Sequence, residues 1–378
     1  MYIGCARTKE DLNQAINIAT KTFRSKGNFD LELINKRFLM FPNNVDQIKD
    51  VIIIADDMTG VIGACFLIDR FFYRGAFLLK GTFFSSMCIS EECRGKGLSK
   101  LLLNFAITEA EKRGSDFAVL IARRAADFFY NQFNFWGLAQ YNKIQYEPSS
   151  DEGICNRSLF FDAKKEDIEK INEIYVYTYS SLLGSCERTN NYWFYLLKRV
   201  NQQNFKVIVS KLNDKVNGYI IYSGAEVYEF ASDSNTSCLD MLNNFGIKFS
   251  FNKLTLHCSS KHSILKELQN IDFIVTKRQC SYGGHMVRII NHQSILKVLE
   301  AECRSRFEQL NLTDYEEEVD GACMLKLCNN NISLNLLDSP YTFKSTCFLM
   351  GVEYLSVAQK GFSIFEPKPF NVLLFDQI

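Results

Sequence analysis

Histidine is scarce in this sequence, with four in 378 residues, and proline almost equally so, with five. The four histidines, His257, His262, His285 and His292, show no metal-ligand spacing and read as surface or internally satisfied side chains. Scarce proline together with 32 phenylalanines argues for folded domains over disordered linkers. Excess charge is absent too: 43 basic and 43 acidic residues cancel, and no basic tract stands out. This balance argues against nucleic acid as the main partner. No uninterrupted apolar run is long enough to span a membrane, and the N-terminus MYIGCARTKEDLNQ lacks the basic-then-apolar pattern of a leader. The 13 cysteines are odd in number and form no C-x-x-C pair, so neither a disulfide framework nor a zinc site is expected. Buried thiols in a reducing, cytoplasmic setting are the simplest expectation.

What the chain does have is a large apolar fraction, 47%, spread over a length that suggests two or three domains. Its most informative stretch is Met87 to Lys100, MCISEECRGKGLSK. The pattern predicts a strand over 83–89, a turn at Arg94-Gly95-Lys96-Gly97, and a helix over 98–113. Glycines let the backbone turn tightly and approach a ligand. The first turn of a helix offers unpaired N–H groups to an anion. Arg94 and Lys96 add full positive charges, so a pyrophosphate is the guest this turn suits. A glycine-bearing turn alone is weak evidence; the strand before it and the helix after it give it weight.

Arg94-x-x-Gly97-x-Ser99 resembles the Q/R-x-x-G-x-G/A signature of the GNAT acetyltransferases, with Ser in place of the third small residue. The surrounding order is similar to that family over about the first 150 residues. A helix capped by Thr8 comes first, then a hairpin over 51–68 with its turn at 56–60, and the strand and helix above. A strand over 117–121, a helix over 125–132 and a strand over 138–144 follow. The segment Ala126 to Trp136 resembles the family's F-Y-x-x-x-G-F element, with Asn134 at the glycine position. The resemblance implies acetyl-coenzyme A as co-substrate. It implies that the turn Arg94, Gly95, Lys96, Gly97, Leu98 and Ser99 holds the pyrophosphate, that the strand residues Met87, Cys88 and Ile89 meet the pantetheine arm, and that Tyr130 is a general acid for the departing thiolate. Packing among Phe128, Phe129, Phe133 and Phe135 is the other reading of Tyr130.

Pro148 to Gly153 marks a boundary by turn chemistry. Beyond it Asp162-Ala-Lys-Lys-Glu-Asp-Ile echoes Arg7-Thr-Lys-Glu-Asp-Leu, and a hairpin over 205–223, a strand over 227–231, a helix over 237–245, a strand over 253–258 and a helix over 263–268 repeat the order. An internal duplication is expected. The counterpart of the signature turn, Ser232-Asp-Ser-Asn-Thr-Ser, has no glycine or cation, and Asp233 would repel a phosphate, so this copy is expected to be a scaffold. Gly184 to Trp193 and Gly284 to Asn291 resemble elements of the Eis-type acetyltransferases. This resemblance implies mixed α/β (α+β) sheets: a catalytic GNAT domain over 1–150, a degenerate one over 151–282, and a sterol carrier protein-like α+β domain over 283–378, with strands over 321–327, 332–336 and 342–350. It implies transfer of an acetyl group to an amine of a small molecule, aminoglycoside- or polyamine-like, or to lysine. It also implies a homo-oligomer, possibly a hexamer, and the C-terminal carboxylate of Ile378 as base, whose ordinary pKa is about 3.5. The loops 24–50 and 70–81 are expected to shape the acceptor pocket. A non-catalytic protein binding acyl-coenzyme A or an apolar ligand is the alternative, and a purely structural assembly protein a further one.

Overall fold

The computed structural model describes residues 1–23, 47–122, 126–149, 159–202, 205–280, 284–309, 317–320, 324–327 and 332–335. Ile378 and the strand expected at 342–350 lie outside these residues.

The chain opens with β1 (Tyr2–Cys5) and α1 (Lys9–Phe23). Thr8 and Asp11 cap α1 reciprocally: the Asp11 N–H donates to Thr8 Oγ1 at 3.0 Å and the Thr8 N–H to Asp11 Oδ2 at 3.2 Å. Leu12, Ala15, Ile16 and Ala19 are its buried stripe, as their spacing predicts. The hairpin of β2 (Val51–Asp56) and β3 (Gly60–Arg74) turns on Asp56, whose Oδ1 accepts the N–H of Met58 at 3.0 Å and of Thr59 at 3.3 Å. β3 then runs directly into β4 (Phe77–Ile89), with Arg74 paired to Phe77. Most of 70–81, expected as a pocket-shaping loop, is therefore a long hairpin. The alternation of Phe72, Leu79 and Phe83, all buried, accounts for it: these side chains need a core to one side of the sheet.

The first part continues with α2 (Leu98–Lys112), β5 (Phe117–Ala122), α3 (Asp127–Asn131) and β6 (Trp136–Gly137). Then come β7 (Ala139–Tyr146), β8 (Leu159–Asp162), α4 (Ile168–Tyr179), α5 (Asn190–Gln202), β9 (Lys206–Leu212), β10 (Lys215–Ser223), β11 (Glu226–Ser232), α6 (Cys238–Lys248), β12 (Leu254–Cys258), α7 (Ile264–Glu267) and β13 (Phe273–Cys280). The rest of the described chain is β14 (Gly284–Ile289), α8 (His292–Gln309), β15 (Glu317–Asp320), β16 (Met324–Leu327) and β17 (Ile332–Asn335).

Among the described residues two seven-stranded mixed sheets dominate. The first has the order β1-β2-β3-β4-β5-β14-β6, and the second β13-β7-β12-β11-β10-β9-β8; β15, β16 and β17 form a small antiparallel sheet. The sheets trade strands. β7, expected to complete the first sheet, pairs with β12 and β13 in the second. β14, expected to open the third domain, inserts between β5 and β6 in the first. Sheet membership thus crosses the positions 150 and 282 where the sequence suggested boundaries.

Helix α2 covers one face of the first sheet through Leu102, Leu103, Ala106 and Ala110, packed with Leu67, Phe84, Leu120 and Met286. Helix α1 covers part of the other face, over Ile53, Ala64 and Phe66. Beyond α1 that face shares a core with the second unit: Phe72, Phe117, Val119 and Val287 join Tyr175, Tyr179, Trp193, Val209 and Tyr219. The distal face of the second sheet is closed by Met241, Leu242 and Phe245 of α6 and Ile264 of α7.

Candidate active site

The site begins where two parallel strands part. β4 pairs with β5 only from Gly81 opposite Phe117 to Phe84 opposite Leu120. Past that rung β4 runs on to Ile89, and its register against β3 shifts between Ala64 and Phe66, so that one extra residue is accommodated near Ser86. Ser86 has φ 52°, a left-handed conformation rare for a residue with a Cβ. A bulge of this kind bends the strand that carries it. The result is a fork, open at the C-terminal ends of β4 and β5, with Ser85 to Ile89 on one arm. Met87 is half-buried against the α2 core, Ile89 lies in that core, and Cys88 is buried under α1. Burial pushes the Cys88 thiol up to about 12, so it stays protonated and inert.

Beyond Ile89 the chain turns through 91–93 into the signature loop. The Ser90 N–H holds the loop to Ile62 O at 2.8 Å, and Arg94 Nε ties it to Ile89 O at 3.3 Å. Gly95 (φ 79°) and Gly97 (φ 75°) are both left-handed, and a Cβ built on either would meet no atom within 4 Å. Glycine is therefore required by conformation, and the space above it is open. Gly97 is the N-cap of α2 and supplies no capping side chain. Among the described residues no acceptor takes the N–H groups of Gly95 through Ser99. Arg94, Lys96 and, one position past the signature, Lys100 are exposed around them. A row of unclaimed donors at the positive end of a fifteen-residue helix, flanked by cations, fits a diphosphate.

The second unit shows what happens when that seat is filled from within. At the start of α6, Ser237 caps Asp240 N–H at 3.1 Å, while Glu267 Oε2 accepts the Leu239 N–H at 2.9 Å and the Ser237 hydroxyl at 2.7 Å. A carboxylate of the chain sits where the first unit leaves an opening. The cavity beside it, about 410 Å³, is lined by Asp233 as well as Glu267.

Tyr130 stands at the end of α3. Its ring packs on the α2 core, edge-on to Phe129 at 5.1 Å and to Phe135 at 6.2 Å. Its hydroxyl has no partner among the described residues. Burial, with a smaller contribution from the nearby Cys65, holds the phenol above its ordinary value. The turn after it is pinned from several sides. Phe133 and Phe135 N–H donate to Tyr130 O at 2.9 and 3.2 Å, Asn131 Nδ2 to Phe135 O at 3.0 Å, and Arg288 Nη1 of β14 to Phe133 O at 2.6 Å. Asn134 has φ 59°, which explains how it replaces glycine there: asparagine is the side chain most tolerant of that conformation. Met87, Ile89, Leu98 and Tyr130 thus meet on one core cluster. The inserted strand β14 and its Arg288 were absent from the sequence-derived site; nothing local in 284–289 signals the sheet it joins.

Among the described residues no group of three or more His, Cys, Asp or Glu is placed to hold a metal, and no helix is long and apolar enough to cross a membrane.

The forked parallel pair and the open glycine turn that follows are features of a GNAT-superfamily fold. Residues 48–136 match the acetyltransferase (GNAT) domain family. Solved structures agree at the level of fold. A GCN5-related N-acetyltransferase from Anabaena variabilis is 15% identical, covers 77% of this chain and 73% of its own, and superposes with a TM-score of 0.58. A conserved protein of unknown function from Enterococcus faecalis, described as a probable N-acyltransferase, is 14% identical, with coverage of 76% and 72% and a TM-score of 0.59. Eis1 from Mycobacterium abscessus is 14% identical, with coverage of 79% and 76% and a TM-score of 0.55. No curated protein matches the sequence.

Proposed function

We propose that this protein is an N-acyltransferase that moves an acetyl group from acetyl-coenzyme A to a primary amine by direct attack. One observation carries the reading: the unclaimed N–H groups of Gly95 to Ser99, beneath open space, at the mouth of the β4–β5 fork. The coenzyme's diphosphate would sit on that turn, against Arg94 and Lys96. Its arm would follow the β4 residues Met87, Cys88 and Ile89 into the fork. Tyr130, kept protonated by burial, would supply a proton to the departing sulfur. A protonated, buried Cys88 argues for direct transfer over an acyl-cysteine route.

The acceptor class follows from resemblance to Eis-type enzymes: an aminoglycoside- or polyamine-like amine, or lysine. The same resemblance supports a homo-oligomer, a sterol carrier protein-like domain within 283–378, and a scaffold role for the second unit. The carboxylate of Glu267 from α7, bonded to the start of α6, favours one coenzyme per chain.

Calorimetry with acetyl-coenzyme A, followed by thiol release across an amine panel, tests the reading. One bound coenzyme per chain and turnover of at least one amine are expected. Absence of both heat and thiol release would overturn it. Tyr130→Phe separates enzyme from binding protein. A catalytic phenol predicts a fall in kcat of about 100-fold, in the range for general acids, at unchanged coenzyme affinity. No change in turnover removes Tyr130 from the chemistry.

A further inference from the structure

His285 is drawn into the first sheet by the strand insertion. β14 runs antiparallel to β5, and His285 lies opposite Ile121, one rung past the Phe84–Leu120 pair at which β4 and β5 part. Alternation along β14 decides its face. Met286 points into the α2 core, so His285, with Val287 and Ile289, points to the other side. Tyr130 packs on the α2 side. The two residues therefore flank the fork from opposite faces. Backbones of neighbouring strands are about 4.8 Å apart, so the β14 backbone stands only one strand beyond the gap, within reach of a group held over β5.

The ring is unusual in its setting. His285 is 6% exposed, its backbone oxygen accepts the Leu138 N–H at 3.1 Å, and its Nε2 is buried without a hydrogen-bond partner among the described residues. Buried polar atoms are nearly always satisfied, and an exception calls for an explanation. Its neighbours on that face along the adjoining strands are uncharged: Val119 and Ile121 from β5, Trp136 and Leu138 from β6 and its end, Val287 from β14; the buried cations of the face, Arg70 and Arg74, lie on β3, beyond β4 and β5. Burial alone moves the imidazole down to about 4, which keeps it neutral at physiological pH.

Val119 and Val287 are packed into the shared core on that face, but Ile121, directly opposite His285, is 43% exposed, so an amine would approach there to meet an acyl group directed through the fork by a diphosphate on the α2 side. We propose that His285 Nε2 receives the proton of the acceptor amine. This assignment rests on the acyltransfer reading above. As the amine nitrogen bonds to the acyl carbon, its proton passes to Nε2. As the carbon–sulfur bond breaks, Tyr130 gives its phenolic proton to sulfur. Solvent then takes the proton from the imidazolium and restores the phenol, so protons balance over the cycle.

The test compares the full-length wild type with His285→Gln, and with His285→Asn should the first fail to fold. A chain lacking Ile378 tests the carboxylate that the Eis resemblance offers instead. Turnover of the best amine is followed from pH 3 to 9, a range that spans the titration of the buried imidazole, and acetyl-coenzyme A affinity is read by calorimetry. The expected result is a fall in kcat of about 100-fold for His285→Gln, loss of the acid limb of kcat/KM, and unchanged coenzyme affinity. Wild-type turnover with an unaltered pH profile in His285→Gln would overturn the assignment while leaving the acyltransfer reading intact. Loss of the limb only on removing Ile378 would overturn it equally. A wild type that binds coenzyme yet acylates no amine would remove both.

Discussion

At Gly97 two demands coincide: a backbone conformation that penalises any side chain, and an opening that must stay empty for a ligand to approach. A left-handed residue with a Cβ costs roughly 1–2 kcal/mol, so Gly97→Ala is expected to lower stability modestly. Gly114, at the other end of α2, supplies the control. It too is left-handed (φ 69°), with no atom within 4 Å of a Cβ built there. Both substitutions should lower the unfolding midpoint to a similar extent. Only Gly97→Ala should weaken acetyl-coenzyme A binding, by tenfold or more, on the order of 1.4 kcal/mol. Equal affinities in the two variants would mean that the turn does not hold the coenzyme. Much of this seat was legible from residues alone, because glycines, cations and a helix start are local facts. Asn134 was legible as a departure, and its left-handed φ accounts for it. His285 was not legible. Nothing in its neighbours Gly284 and Met286 reports which strand lies alongside, and partner choice is decided by contacts distant in sequence.

Elements are held in place by buried polar contacts, and the segment between α4 and α5 carries one of them. Arg188 donates to both oxygens of Glu229 on β11, at 2.6 and 2.9 Å, and Tyr219 OH adds a 2.8 Å bond to Oε1. The guanidinium lies over the Tyr175 ring at 4.2 Å and the Trp193 ring at 4.6 Å. Both side chains of the pair are 0% exposed. Removing one partner leaves a buried charge uncompensated, which typically costs about 3–5 kcal/mol. Arg188→Met should therefore unfold at markedly lower urea concentration. Arg188→Met combined with Glu229→Leu should recover much of the loss, since an apolar replacement of both charges is often neutral. A single variant as stable as wild type would show that the pair is not desolvated. The sequence pattern Gly184 to Trp193 announced this element as special, but its partner, Glu229, lies 41 residues away and carried no mark.

On the scale of the whole molecule, acid stability has a definable source. Burial lowers both His262 and His285 from 6.5 to about 4 in the folded state. The unfolded chain then binds more protons than the folded one between those values, so stability rises with pH across this window. Each ring contributes up to about 3 kcal/mol, fully present above pH 6.5 and lost as pH falls toward 4. Replacing both with Gln should flatten the pH dependence of the unfolding free energy between pH 6.5 and 4. An unchanged slope would place the acid sensitivity in carboxylates instead.

The strand trade between the sheets bears on what counts as a separable piece. A fragment ending at 150 would keep β5 but lose β14, leaving a bare edge beside the fork and no Arg288 to hold the Tyr130 turn. It would also carry β7 with no β12 or β13 to receive it. Made alone, such a fragment should aggregate. Made together, 1–150 and 151–378 should find one another like the two parts of a buckle, copurify without a covalent link, and regain coenzyme binding only as a pair.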